Sequence, residues 1–289
     1  MNYKIKCLLF IFTFSILSCS KTDPIEPLNE EDESIQKNPK KGFCITTSKA
    51  LWYKKIEDLN ASWHYSWNFE MFTQEPDSVE FVPMIWGAWS DTTKVLEKLD
   101  YIINLKEEGK VKYMLGFNEP DKADQANMSV ETAIAYWPKL ESVGLPLGSP
   151  ACANPTGEWM QTFMEESENR GFRVDFVCVH WYGGISVSGF LNRLEEIYNL
   201  YNKPIWITEF APADWGASSP ETSKHTKAEI LQFAKEALPA LDNVDYVHRY
   251  AWFSAGETHG PLGNAALFDS SNKLTVVGDF YSTFEGKIN

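Results

Sequence analysis

Histidine and cysteine are scarce, with five of each in 289 residues. The histidines form neither HExxH nor another paired-ligand spacing, and no GxGxxG follows any strand candidate, so no metal and no organic cofactor is expected. Cysteine shows no CxxC spacing. Beyond the first twenty residues only Cys44, Cys152 and Cys178 remain, an odd number in apolar surroundings. That pattern predicts buried free thiols and no disulfide framework. Positive charge is also short: 26 Lys and Arg face 40 Asp and Glu, for a net charge of −14. Such a surface would repel phosphates, which argues against nucleic acid as a partner. The longest apolar run, LLFIFTFSIL, is too short to span a bilayer.

What is present at the N-terminus has a simple reading. Residues 1–18 carry two lysines, no acid and that short apolar run, as a secretory signal does. The run ends in ILSC, which is similar to a bacterial lipobox and makes Cys19 the expected lipidation site. Ser20 after it is similar to lipoproteins sent to the outer membrane, so an outer-membrane lipoprotein of a Gram-negative bacterium is expected, at the cell surface or on the periplasmic face. Residues 19–40 hold prolines, acids and few apolar side chains; they cannot bury enough surface to fold and read as an acidic tether. Residues 41–289 then form one domain, and a monomer is expected.

Within that domain, β-like runs alternate with helical ones. The strand candidates are 42–47, 61–68, 79–87, 111–118, 145–151, 174–182, 204–210 and 245–253. Between them lie stretches such as TTKVLEKLDYIINLKEEG, with apolar residues every three or four positions. Strands apolar nearly throughout point to a parallel sheet covered on both faces. Eight such units at this length predict an α/β fold, a single (β/α)8 TIM barrel. The short link between the first two strands predicts one stunted outer helix. A doubly wound open sheet is the alternative.

In a barrel of this kind the chemistry lies at the C-terminal ends of the strands. Those ends collect Trp63, His64, Tyr65 and Trp67; Trp86 and Trp89; Asn118 and Glu119; His180, Trp181 and Tyr182; Glu209; and Arg249, Trp252 and Ser254. Glu119 and Glu209 lie 90 residues apart, about three βα units of roughly 30 residues. They therefore end the fourth and seventh predicted strands and face one cleft. Retaining glycoside hydrolysis needs two such carboxylates, one protonated to serve the leaving oxygen and one ionised to attack the anomeric carbon. A lone glutamate at a strand end is more often an ion-pair partner; the matched pair is what points to chemistry. Asn118 can donate to a sugar 2-hydroxyl, and His180 or Tyr182 can hold Glu209 ionised or fix its rotamer. Trp86, Trp89, Trp181 and Trp252 can stack on a pyranose, with Trp63, Trp67 and Trp215 as further candidates. Trp52, Trp137, Trp159 and Trp206 fall within helices or strands and are expected in the core.

SWHYSWN (62–68), FVPMIWG (81–87), LGFNEPD (115–121), GSPA (148–151), VDFVCVHWYG (174–183), KPIWITEFA (203–211) and RYAWF (249–253) follow one another through the domain. This ordered set resembles glycoside hydrolase family 128, the glycosyl hydrolase catalytic core proteins of clan A. The resemblance implies a (β/α)8 barrel that cleaves β-1,3-glucans endo-wise with retention. It implies Glu119 as acid/base, Glu209 as nucleophile, Asn118 at the 2-hydroxyl, Tyr182 orienting the nucleophile and Trp252 flooring the cleavage subsite. The arginine that many clan A enzymes carry near the end of the second strand is missing, and His64 or another residue is expected in its place. Two other readings stay open. One is a β-1,4-glucanase or mannanase using the same carboxylates; the other is a surface glucan-binding lipoprotein without turnover. A peptidoglycan-directed hydrolase is compatible with the expected location but has no motif behind it.

Overall fold

The computed structural model describes residues 37–88 and 91–286. The expected leader, Cys19, most of the expected tether and Trp89 lie outside the described residues. Six regular strands run β1 (Lys41–Cys44), β2 (Trp63–Tyr65), β3 (Glu80–Phe81), β4 (Val177–Trp181), β5 (Ile205–Phe210) and β6 (Val247–Phe253). All are parallel and ordered β3-β2-β1-β6-β5-β4. The segments 111–118 and 145–151 fill the gap between β3 and β4. Parallel bridges join Met84 to Leu115, Met114 to Leu147, Asn118 to Ala151 and Gly148 to Phe176. The ring of eight thereby closes as a (β/α)8 barrel. Proline explains the thin pairing on this side: Pro83, Pro146 and Pro150 have no N–H to give a ladder.

Among the described residues seven helices surround the strands: α1 (Trp52–Asp58), α2 (Thr92–Glu107), α3 (Val130–Glu141), α4 (Glu158–Asn169), α5 (Val187–Tyr201), α6 (Lys227–Asp242) and α7 (Val276–Thr283). Asp91, Ser129, Ser186, Thr226 and Thr275 cap five of them by accepting a backbone N–H, which fixes where those helices start. The helix α1, between β1 and β2, is stunted as expected at seven residues. The sequence reading did not foresee that β2 has no helix after it: residues 66–79 are a loop among the described residues.

Strand alternation sorts the side chains into two cores. Gly42 and Cys44 (β1), Trp63 and Tyr65 (β2), Cys178 (β4), Trp206 (β5) and Ala251 (β6) point into the barrel. Phe43, Val177, Val179, Ile207, Phe210, Tyr250 and Trp252 point outward under the helices. Gly42 is required where it stands, since a Cβ there would lie 2.3 Å from the Trp63 indole. Cys44, Cys152 and Cys178 are buried free thiols. Low in the barrel, the Arg249 guanidinium pairs through both nitrogens with Glu80 at 3.0 Å and lies over Trp206 and Tyr113 at 4.3 and 4.6 Å. Arg249 therefore belongs to the barrel floor. Its place four residues before Phe253 puts it beneath the rim to which the sequence reading assigned it.

Candidate active site

A β-bulge decides where Glu209 points. Val179 pairs with Ile207 and His180 with Glu209, so Thr208 is an extra residue in β5. Uninterrupted alternation from the inward Trp206 would turn Glu209 out toward the helices. The extra residue resets the pattern, and Glu209 enters the barrel mouth beside His180, only 5% exposed. Glu119 is aimed by a different device. It leaves the 111–118 segment with φ 40°, a left-handed conformation rare for a side-chain-bearing residue and costing about 1–3 kcal/mol. Its own N–H, donated to Ala151 O at 2.8 Å, helps hold it there.

His180 sits between the two carboxylates. Its Nδ1 lies 3.0 Å from Glu119 Oε1, and its Nε2 lies 3.3 Å from Glu209 Oε1, outside hydrogen-bond geometry. One ligating atom from each of the three residues lies within 4.8 Å of the others. Burial alone would lower the pKa of His180, but the Glu209 charge and the hydrogen bond to Glu119 outweigh it and raise the value. For Glu119, burial pushes up, yet the His180 hydrogen bond and charge and the Lys122 ammonium, 3.5 Å away, carry the pKa below the ordinary carboxyl value. His180 thus stands between the two carboxylates, one hydrogen bond from Glu119. The same three donor atoms lie close enough together to hold a divalent ion.

Glu209 is otherwise held by neutral donors. Tyr65 and Trp67 donate to Oε1 at 3.1 and 2.7 Å, and Tyr182 donates a very short bond to Oε2. Burial and then the Glu209 charge drive the Tyr65 and Tyr182 phenols well above their ordinary pKa, so both stay donors. No arginine among the described residues pairs with Glu209. His64, expected as a stand-in, shares the outward face of Phe43 and meets Glu75. Tyr65 stood in the rim list without a role. The WHYSW alternation, which puts Trp63 and Tyr65 on one face, was the signal for it.

Asn118 is 3% exposed; its Nδ2 donates to Gln125 Oε1 at 3.3 Å, and its Oδ1 has no partner in this state. Trp86 is half-buried beside it, its carbonyl accepting the Asn118 N–H at 2.9 Å. Two aromatic expectations need correction. Trp181 points outward, stacked on Phe190 and Phe233 at 4.1 and 5.5 Å. Trp252 is fully buried, its indole donating to Ala265 O at 2.9 Å and its ring against Phe210 and Tyr281. Both fall on the outward parity of their strands. The aromatic that β6 presents to the cleft is Phe253, edge-on to Trp67 at 5.8 Å and to Tyr182 at 5.4 Å. The rim continues to Trp215, 63% exposed, whose indole donates to Tyr182 O at 3.0 Å.

A closed parallel barrel with two glutamates facing each other at its mouth agrees with the family comparison, in which residues 42–281 match the glycosyl hydrolase catalytic core model. The chain belongs to this family, glycoside hydrolase family 128. Among curated proteins, it is similar to alkali-sensitive linkage protein 1 of Schizosaccharomyces pombe, 32% identical over 215 residues. That match covers 68% of this chain and 39% of the yeast protein, so the chain spans about two fifths of this relative's length. Among solved structures, the chain is similar to a family 128 subgroup I endo-β-1,3-glucanase from Amycolatopsis mediterranei in complex with laminaritriose and laminaribiose. The identity is 35% and the TM-score 0.72, covering 85% of this chain and 99% of that one. A subgroup II endo-β-1,3-glucanase from Pseudomonas viridiflava matches at 27% identity and TM-score 0.67, covering 87% and 100%. A subgroup III curdlan-specific exo-β-1,3-glucanase from Blastomyces gilchristii, in complex with glucose, matches at 29% and 0.65, covering 85% and 98%.

Proposed function

We propose that this hydrolase cleaves β-1,3-glucans endo-wise with retention, through Glu119 as acid/base and Glu209 as nucleophile. The observation that carries this reading is the approach of Glu119 and Glu209 to within 4.8 Å. Retaining enzymes hold their carboxyls about 5–5.5 Å apart, whereas inverting ones leave room for a water. Relatives solved with laminari-oligosaccharides support the substrate class.

The first step needs a proton on Glu119, and His180, one hydrogen bond away, is placed to supply it. When a bound sugar excludes water from the cleft, neutral forms gain over charged ones, and the Nδ1 proton passes to Glu119. Glu119 then protonates the glycosidic oxygen while Glu209 attacks the anomeric carbon. Tyr65, Trp67 and Tyr182 hold Glu209 ionised and aimed. In the second step Glu119, now a carboxylate beside an uncharged histidine, takes a proton from water, which releases the sugar from Glu209. Asn118 Oδ1 and Nδ2 face the reacting sugar's 2-hydroxyl, Phe253 lines the floor, and Trp86 stands at the rim. Residues 1–18 are removed, Cys19 is acylated, and the residues after it tether the catalytic domain to the outer membrane as a monomer; the domain itself starts before β1, since Asn38 is buried and its Nδ2 donates to Asp242 Oδ2 at 2.9 Å.

Laminarin digestion with products resolved by size tests the reading. A ladder of short oligosaccharides is expected, and a single small product would replace endo by exo action, as in the subgroup III relative. Glu209→Gln and Glu119→Gln are each expected to lower kcat on the order of a thousandfold with the fold intact. Wild-type turnover in Glu209→Gln would remove it as the nucleophile.

A further inference from the structure

We propose that Trp67 is a positioning residue for the attacking carboxylate, locked in place by a left-handed turn and by a buried latch between His64 and Glu75. The proposal rests on Glu209 being the nucleophile. Trp67 stands two residues beyond the end of β2 with φ 56°, a conformation that a bulky residue avoids unless its surroundings impose it. What the conformation achieves is visible: the indole N–H reaches Glu209 Oε1 at 2.7 Å, the shortest of the bonds to that oxygen. Extended backbone would keep the side chain on its strand's pleat; the left-handed turn swings it over the barrel mouth, against Tyr65 and Phe253.

The loop that makes this turn has no helix to stiffen it, and it is fastened from outside the barrel. His64, the outward neighbour of inward Tyr65, holds Glu75 Oε2 through Nε2 at 2.6 Å. Glu75 Oε1 accepts the Phe72 N–H at 3.3 Å. The histidine and carboxylate side chains are 0% and 3% exposed, so this contact is dry. Phe72 and Phe69 pack on Trp52 and Tyr101, and Met84 N donates to Asn68 O at 2.9 Å, one residue beyond Trp67. The loop is thus anchored on both sides of its apex, and the apex presents one hydrogen-bond donor to the nucleophile.

An indole N–H suits that duty because it does not titrate in water. An imidazolium beside a carboxylate can surrender its proton to it, whereas the indole donates at every working pH.

The test compares Trp67→Phe, Glu75→Ala, Glu75→Gln and the Trp67→Phe/Glu75→Ala double variant with wild type on laminarin. Trp67→Phe keeps an aromatic ring, though a smaller one, and removes the donor. Its kcat is expected to fall about 10- to 100-fold, with KM within about twofold, as for loss of a hydrogen bond to a charged group. The loss is expected across the whole pH profile, because the indole N–H is a donor at every working pH. Glu75→Ala should lower kcat in the same direction and Glu75→Gln, which keeps an acceptor for His64, should restore most of it. The double variant should be no worse than Trp67→Phe, since both changes act through one bond. Wild-type kcat across the pH profile in Trp67→Phe overturns the role of Trp67, and fully additive losses overturn the latch. Trp67→Phe alone decides the first point if Glu75→Ala does not fold. Failure of wild type itself to cleave any β-1,3-glucan would instead refute the proposed function.

Discussion

Replacing Trp252 by Phe separates a substrate platform from a core residue. Trp252 is fully buried on the outward face of β6, and its N–H meets Ala265 O at 2.9 Å. Phenylalanine removes that bond and strands a buried carbonyl, which costs about 1–2 kcal/mol. The smaller ring leaves roughly 40 Å³ unfilled, and at about 24 cal/mol per Å³ this adds about 1 kcal/mol. Destabilisation of about 2–3 kcal/mol should lower Tm by roughly 5–10 °C in a domain of this size. Turnover on laminarin, measured well below that Tm, should stay within about twofold of wild type because the ring never meets the cleft. Phe253→Ala should do the opposite, losing turnover through an emptied cleft floor. Calorimetry paired with initial rates gives both readouts. A Trp252→Phe variant with unchanged Tm and a large loss of turnover would refute the outward assignment of Trp252.

Two further outcomes follow from the site. Deleting Thr208 removes the extra residue of β5 and leaves Glu209 directly after the outward Ile207, still opposite His180, so Glu209 should keep pointing into the cleft and activity should stay well above that of Glu209→Gln; a deletion variant as inactive as Glu209→Gln would show that alternation does not set the glutamate's direction. His180 has its pKa raised above 6.5 in the folded chain, so it binds a proton there that the unfolded chain has released. The stability it contributes is full below 6.5 and is lost as pH rises through the raised value. Tm should fall across that interval in wild type and less in His180→Asn, and parallel Tm curves would contradict the bridging proton.

The sequence alone determined the sheet type, the number of strands and the meeting of Glu119 with Glu209 at one rim. Strands buried on both faces are apolar throughout, and helices carry a period that composition preserves, so both are legible without coordinates. Glu119 and Glu209 were legible because unit length in a repeating barrel converts spacing into position. Tertiary structure alone decided direction. One extra residue at Thr208 inverts a face, and whether a residue is extra depends on what the neighbouring strand pairs with it. The outward turn of Trp181 and Trp252 and the inward turn of Arg249 and Phe253 follow from strand register, which one strand's pattern of apolar residues cannot fix when both faces are buried. The contacts of Glu209 with Tyr65 and Trp67 join residues more than 140 positions apart through a left-handed turn, and only the closed barrel brings them together.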